Sequence, residues 1–325
     1  MAAWFQCHGR TLPWRVTSDP YPILVSELML QQTQVATVIR YYHRWLERFP
    51  TLHDLAEADG SEVLLAWQGL GYYNRARNLH KCAKIIVFER NEKFPSAVDE
   101  LLRLPGIGRY TAGAIASFAF DQPAPIVDTN IERVLTRILD LQEPVDQTDA
   151  GRVLWDFASK YVQSTRPRLL NSALMELGAT ICLPRKPLCV ICPVRSFCAA
   201  KDPESLPKKR GRQRIEKKIE NHFLALKEGR ILLEQSLGKR WHGLWTLPSL
   251  AQDNGDFPFL SLSYPITRYV VRLNVFLSEP PATVDLGQVW HRLELLDSVP
   301  MPSPHRRAVR LAAGRIGLSA AHGER

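Results

Sequence analysis

The 325-residue sequence predicts a mainly α N-terminal region followed by a smaller α+β domain. Three observations carry that prediction. Apolar residues recur at the helical period through most of residues 1–205. A compact four-cysteine loop closes this region at 182–198. Past residue 219, hairpin and β-branched patterns replace the helical ones. A chain of this length can bury two cores, and 45% apolar with 23% charged residues is ordinary globular composition.

In chain order, Pro20 and Pro22 fix the entry to a first long helical stretch. There Leu24, Leu28, Val35, Val38, Tyr42, Trp45 and Phe49 follow the helical spacing. Further helices fit 63–67, 76–89, 98–103, 110–120, 131–139, 151–161 and 169–177, and no strand is expected in this half. In the second half, 222–226 and 230–234 flank Lys227-Glu228-Gly229, a hairpin signal. Residues 267–277 are rich in β-branched and aromatic side chains, and 304–315 reads as a helix. The expected boundaries are 1–205, a basic connector at 206–219, and 220–325.

The net charge of +9 is concentrated in that connector. Lys208, Lys209, Arg210, Arg212, Arg214, Lys217 and Lys218 face only Glu216, the pattern of a solvated linker. Nucleic-acid binding by the helical region must therefore rest on particular residues. No apolar run approaches 18 residues, and Trp4, Phe5 and His8 do not make a signal-peptide core, so a cytoplasmic protein is expected. Cys7 and Cys82 would then stay reduced.

Cys182, Cys189, Cys192 and Cys198 are spaced C-x6-C-x2-C-x5-C. Structural zinc usually takes two close pairs across a longer span, whereas four cysteines in one compact loop suit a 4Fe-4S cluster. Upstream, Leu104-Pro105-Gly106-Ile107-Gly108 joins two helices. Gly106 and Gly108 permit close backbone approach, and the helix N-terminus that follows offers free N–H groups to a phosphate.

With these residues in place, the chain resembles the helix–hairpin–helix, iron–sulfur base-excision glycosylases, and within them the adenine mismatch (MutY) family. The carrying motifs are Leu-Pro-Trp-Arg (12–15), the run 26–38, Gly-Leu-Gly-Tyr-Tyr-Asn-Arg-Ala-Arg-Asn-Leu (69–79), the hairpin at 104–113, Pro-Ile-Val-Asp-Thr-Asn (125–130) and the cysteine loop. The resemblance implies a monofunctional glycosylase that removes adenine opposite 8-oxoguanine or guanine in double-stranded DNA, acting as a monomer. Endonuclease III-like lyases for oxidised pyrimidines share the hairpin and cluster. They carry a lysine nucleophile directly after the hairpin's Gly-Arg, where this chain has Tyr110, and a phenol cannot form a Schiff base. A third class, a damage-binding module without catalysis, is opposed by the two carboxylates described next.

Expelling adenine needs a proton for the base and a countercharge for the sugar, a division of labour that two carboxylates in unlike surroundings can perform. Glu27, between apolar neighbours, is expected to have its pKa raised by desolvation and to act as the acid. Asp128 precedes a helix, where it would cap the N-terminus and remain ionised as the stabiliser. The resemblance adds Asn130 and Tyr110 as its hydrogen-bonding supports, and Thr129 stands where many relatives have glycine. It also assigns Trp14, Arg15 and Glu176 to an adenine pocket, and Gln32, Thr33, Leu70 and Tyr72 to the base stack. The Gly-Leu-Gly loop is expected to display Leu70 as an apolar tip, with Arg75 and Arg77 as phosphate contacts.

In the second domain, residues 222–250 resemble the Nudix-like 8-oxoguanine recognition domain of that family, Trp241 to Pro248 most clearly. The segment from Ser249 to Gly255 lacks the glutamate series a Nudix hydrolase needs for magnesium, so pyrophosphate hydrolysis is not expected. Thr267, within Ile266-Thr267-Arg268, stands where the family reads the lesion.

Overall fold

The computed structural model describes residues 1–163, 166–211, 215–250 and 257–317. They form two compact units. One comprises Met1–Ala56 with Lys81–Gly211, and the other Glu57–His80 with Arg212–Arg325. The 57–80 segment thus belongs with the C-terminal sheet, although it lies within the helical half of the sequence.

The helices are α1 (Ala2–His8), α2 (Pro20–Leu30), α3 (Val35–Arg48), α4 (Leu52–Glu57), α5 (Gly60–Ala66), α6 (Asn74–Lys84), α7 (Val98–Leu101), α8 (Arg109–Phe120), α9 (Thr129–Ile138), α10 (Thr148–Val162) and α11 (Pro167–Thr180). Among the described residues the first strand begins only at Glu216. No described helix is long and apolar enough to cross a membrane.

In the first unit, α2 is the central helix. Asp19 caps it by accepting from the Tyr21 amide at 2.9 Å, Pro20 supplies the first turn, and every residue from Ile23 to Met29 is buried. A helix apolar on all sides belongs inside a bundle. The long periodic stretch from Leu24 to Phe49 is nonetheless two helices. Gln31-Gln32-Thr33-Gln34 offers no apolar side chain to continue the buried face, and Gln32 turns the chain at φ 58°.

Two glycines set close contacts. A Cβ on Gly113 of α8 would lie 2.3 Å from the Pro125 carbonyl oxygen. One on Gly178 of α11 would lie 2.9 Å from Asn130 Cβ. Both glycines therefore let helices press on the segment carrying Asp128 and Asn130.

In the second unit, the strands are β1 (Glu216–Lys227), β2 (Arg230–Gln235), β3 (Trp245–Thr246), β4 (Leu260–Ile266), β5 (Tyr269–Ser278) and β6 (Gln288–Arg292), followed by α12 (Ser303–Arg315). The sheet order is β3-β2-β1-β5-β4, with β6 also on β2; β1 and β5 run parallel and the other pairs antiparallel. The expected hairpin is present: Glu228 and Gly229, at φ 50° and 71°, turn β1 into β2. Leu224, Ile231, Leu233, Leu273 and Val275 form the core with Ala308, Val309 and Ala312 of α12.

The basic connector is partly built into structure. The Lys208 carbonyl accepts from the Val145 amide at 3.0 Å and the Arg210 amide meets Asp146, while Lys217 and Lys218 are already in β1. Its Arg212 and Arg214 lie outside the described residues. So does most of the segment read as lacking Nudix glutamates, from Ala251 to Gly255.

Candidate active site

The first unit gathers Glu27, Tyr110, Asp128 and Asn130. Glu27 is the one ionisable side chain on the buried stretch of α2 and is only 3% exposed. Its Oε2 has no hydrogen-bond partner. Burial raises its pKa from 4.5 to about 7. The Tyr110 hydroxyl pulls the other way, the Asp128 charge adds to the rise, and Arg15 opposes it. Tyr110 opens α8, just past the hairpin, with its hydroxyl 4.0 Å from Met175 Sδ. Burial first, then Glu27 and Asp128, keep it a neutral phenol far above its ordinary range.

Asp128 caps α9 as expected: its Oδ1 accepts from the Ile131 amide at 2.7 Å and its Oδ2 from Asn130 Nδ2 at 3.1 Å. The helix N-terminus, expected to keep it ionised, meets an opposing influence. Burial is the largest influence and moves its pKa up; the Ile131 amide, Asn130 and Arg133 pull it back only in part. Thr129 is the first residue of α9 and needs no left-handed backbone, so a side chain fits there.

The assigned adenine-pocket residues divide. Arg15 Nη2 reaches Glu176 Oε2 at 2.8 Å, and Glu176 is fully buried. Arg10 closes the other side, its Nε 2.7 Å from Oε1 and its Nη2 3.0 Å from Oε2. Burial pushes the Glu176 pKa up, but the two arginines outweigh it and hold it low. Trp14 is buried in an edge contact with Tyr42, 5.5 Å between ring centroids. Sequence reasoning missed Arg10, which no motif marks.

It also missed two buried arginines on α9. Arg133 donates to Asn130 Oδ1 (3.0 Å), the Gly178 carbonyl (2.8 Å) and the Cys182 carbonyl (2.8 Å). A continuous hydrogen-bonded path therefore runs from Asp128 through Asn130 and Arg133 to the cysteine loop. Arg137, 1% exposed, donates to the Leu183, Pro184 and Leu206 carbonyls and touches Cys182 Sγ at 3.3 Å. The signal available was their place on the buried face of an amphipathic helix, where a guanidinium must find partners.

The four loop cysteines, none of them in a disulfide, line one cavity with Val134, Ile138, Leu177 and Ile181. A 4Fe-4S cluster fits this donor set: four thiolates around an apolar space, with the Arg137 charge against one sulfur. Replacing Arg137 with Met is expected to leave the Leu183, Pro184 and Leu206 carbonyls without their guanidinium donor. We expect a loss of roughly 3 kcal/mol in stability and weaker cluster retention, read by thermal melting and visible absorbance.

The remaining assigned residues lie outside this group. Gln32, Gly106 and Gly108 are exposed, with Thr33 partly so; Gly106 takes φ 76°, as the hairpin turn requires. In the second unit Tyr72 is 49% exposed, whereas Leu70 is 6% exposed. The glycine loop therefore displays Tyr72, and the expected apolar tip at Leu70 is corrected: its carbonyl takes Arg75 Nη2 at 3.0 Å, and the turn folds the leucine inward. Arg75 and Arg77 spend their guanidinium groups on backbone carbonyls, Leu70 and Gly71 for one, His242 and Lys239 for the other. Thr267 sits exposed at φ 50° in the tight β4–β5 turn, its hydroxyl on the Ile266 carbonyl.

A hairpin-linked helical unit with a cysteine-lined cavity defines the helix–hairpin–helix base-excision class. Residues 25–156 match the HhH-GPD superfamily base excision DNA repair proteins, and residues 182–198 the iron–sulfur binding domain of endonuclease III. Among solved structures, a thermostable thymine-DNA glycosylase aligns at TM-score 0.56 and 30% identity over 61% of this chain and 91% of its own. A trapped endonuclease III–DNA covalent intermediate aligns at 0.51 and 26% over the same shares. The adenine DNA glycosylase of Buchnera aphidicola subsp. Baizongia pistaciae is 37% identical over 88% of this chain and 83% of its own length. The chain belongs to the adenine DNA glycosylase family. The rat adenine DNA glycosylase is 47% identical over 62% of this chain, which spans only 40% of that relative.

Proposed function

We propose that the protein is a monofunctional DNA glycosylase that hydrolyses the N-glycosidic bond of adenine paired with 8-oxoguanine or guanine in duplex DNA. One observation carries the reading: Glu27 is a buried carboxyl with a pKa of about 7, set beside an Asp128 that is tied down by hydrogen bonds. Glu27 gives its proton to a ring nitrogen of adenine. The bond from C1′ to the base breaks, its electron pair leaves with adenine, and the Asp128 carboxylate faces the oxocarbenium-like sugar. Water adds at C1′ and returns a proton to Glu27. Arg15, partly exposed and held by the fully buried Glu176, offers a donor for the base edge.

Tyr110 is what separates this reading from a lyase. A neutral phenol offers no amine for an imine, so the abasic strand stays intact. The bound cluster supplies structure and DNA docking, since glycosidic hydrolysis transfers no electrons; Arg185 and Lys186 sit exposed in its loop. The second unit would act as a Nudix-like lesion reader through the Thr267 turn. A monomer in the cytoplasm, on the nucleoid of a bacterium, completes the proposal.

The test uses labelled duplexes bearing adenine opposite 8-oxoguanine, adenine opposite guanine, and thymine glycol. We expect cleavage of the two adenine duplexes only after alkali. Scission without alkali, or preference for thymine glycol, would support the endonuclease III-like reading instead.

A further inference from the structure

The second unit ties the 69–73 loop to its C-terminal helix through one side-chain amide. Gln68, immediately before the loop, accepts at Oε1 from Arg306 Nη2 at 2.9 Å and from the Met301 amide at 3.1 Å. Arg306, on α12 and 8% exposed, also donates to Asp297 Oδ1 (2.7 Å) and the Val299 carbonyl (2.6 Å). The Tyr73 hydroxyl approaches the Met301 carbonyl at 3.5 Å on the far side of the loop.

Between these anchors the backbone is strained. Gly69 and Gly71 take φ 102° and 68°, which glycine tolerates, but Tyr72 takes φ 46°. A bulky residue rarely adopts this conformation, at a cost of order 1–3 kcal/mol, and it persists only where its surroundings over-determine it. Local contacts supply part of the restraint: Trp67 Nε1 holds the Gly71 carbonyl at 3.1 Å, and the Arg75 guanidinium lies over both the Trp67 and Tyr72 rings. The Gln68 anchor fixes the end from which the loop departs. The result is an exposed aromatic ring on a rigid, strained mount, the geometry of a side chain that enters a base stack.

We propose that Arg306 is a positioning residue for DNA distortion: through Gln68 it holds the loop so that Tyr72 projects, and the C-terminal unit thereby sets how well the protein unstacks its duplex. The inference rests on the glycosylase reading for its substrate but not for its readout. Arg306 has no part in proton transfer. Its planar fork bridges Gln68, Asp297 and Val299 at once, which a lysine cannot do.

The experiment uses the full-length, cluster-loaded protein and two variants, Arg306→Lys and Gln68→Leu. The second spares the Asp297 and Val299 contacts, so the fold survives even if the first variant is unstable. The probe is a duplex with a non-hydrolysable 2′-fluoro adenosine opposite 8-oxoguanine and a neighbouring 2-aminopurine that brightens on unstacking. The wild-type protein should brighten it. Gln68→Leu should lose at least half of that rise and bind about tenfold more weakly. Folded variants that brighten and bind the probe as wild type does would overturn the inference. So would a weaker-binding variant whose fluorescence rise is intact, since that outcome is a structural role alone. Brightening without adenine release by the wild type would refute the glycosylase reading and leave this inference to be judged on the probe.

Discussion

Glu27→Gln should slow adenine release by about 10²–10⁴-fold while making the folded protein more stable at alkaline pH. Both effects have one cause. The folded state sets the Glu27 pKa at about 7 against 4.5 for the free side chain. Between those values the folded protein binds more protons than the unfolded one. The Glu27 contribution to stability is therefore fully present below about 4.5 and lost as pH rises through about 7. Above that, each molecule carries a buried carboxylate whose Oε2 has no partner. Gln cannot ionise, so it should recover on the order of 3 kcal/mol at pH 9 and almost nothing at pH 4. Thermal melting at the two pH values measures this. A variant that is inactive and also less stable at high pH would mean Glu27 serves packing rather than proton supply. In the wild type, release should decline as pH passes about 7, because only the protonated acid can donate.

Asp128→Asn separates the two roles that the residue combines. Asn is as good an N-cap as Asp, and its side-chain oxygen can still accept from the Ile131 amide. The start of α9 should therefore hold, with melting changed by less than about 1 kcal/mol. The countercharge is gone, however, and the release rate should drop by about 10²–10³-fold. A second consequence follows from coupling: the Asp128 charge raises the Glu27 pKa, so its removal should lower the Glu27 midpoint. Asp128→Asn with near-wild-type release would leave only the capping role.

Features made by near neighbours were readable in the sequence. The cap at Asp128, the hairpin turn at Gly106, the four-cysteine loop and the Glu228-Gly229 turn each depend on a few consecutive residues whose chemistry is local. The desolvation of Glu27 was also readable, since an acid inside an apolar helix has nowhere else to go. Features that depend on partners distant in sequence were not. Arg10 reaches Glu176 across the chain with no local signal; helical spacing puts Arg133 and Arg137 on a buried face, but the cysteine-loop carbonyls they meet lie more than 40 positions away. The same holds for the 57–80 segment, whose partners Met301 and Arg306 come more than 200 positions later. Leu70 was misjudged because two flanking glycines allow a tip to point either way, and Arg75 turns the loop so that Tyr72, not Leu70, projects. The break between α2 and α3 hid behind apolar spacing that stays in phase across four polar residues.

The most direct measurement is infrared titration of the Glu27 carboxyl, taken as the difference between wild type and Glu27→Gln in the protonated C=O stretch. The band should be present at pH 5, fade with a midpoint near 7, and track the decline in adenine release. A band already absent at pH 6, or one whose midpoint lies at the ordinary glutamate value, would contradict this.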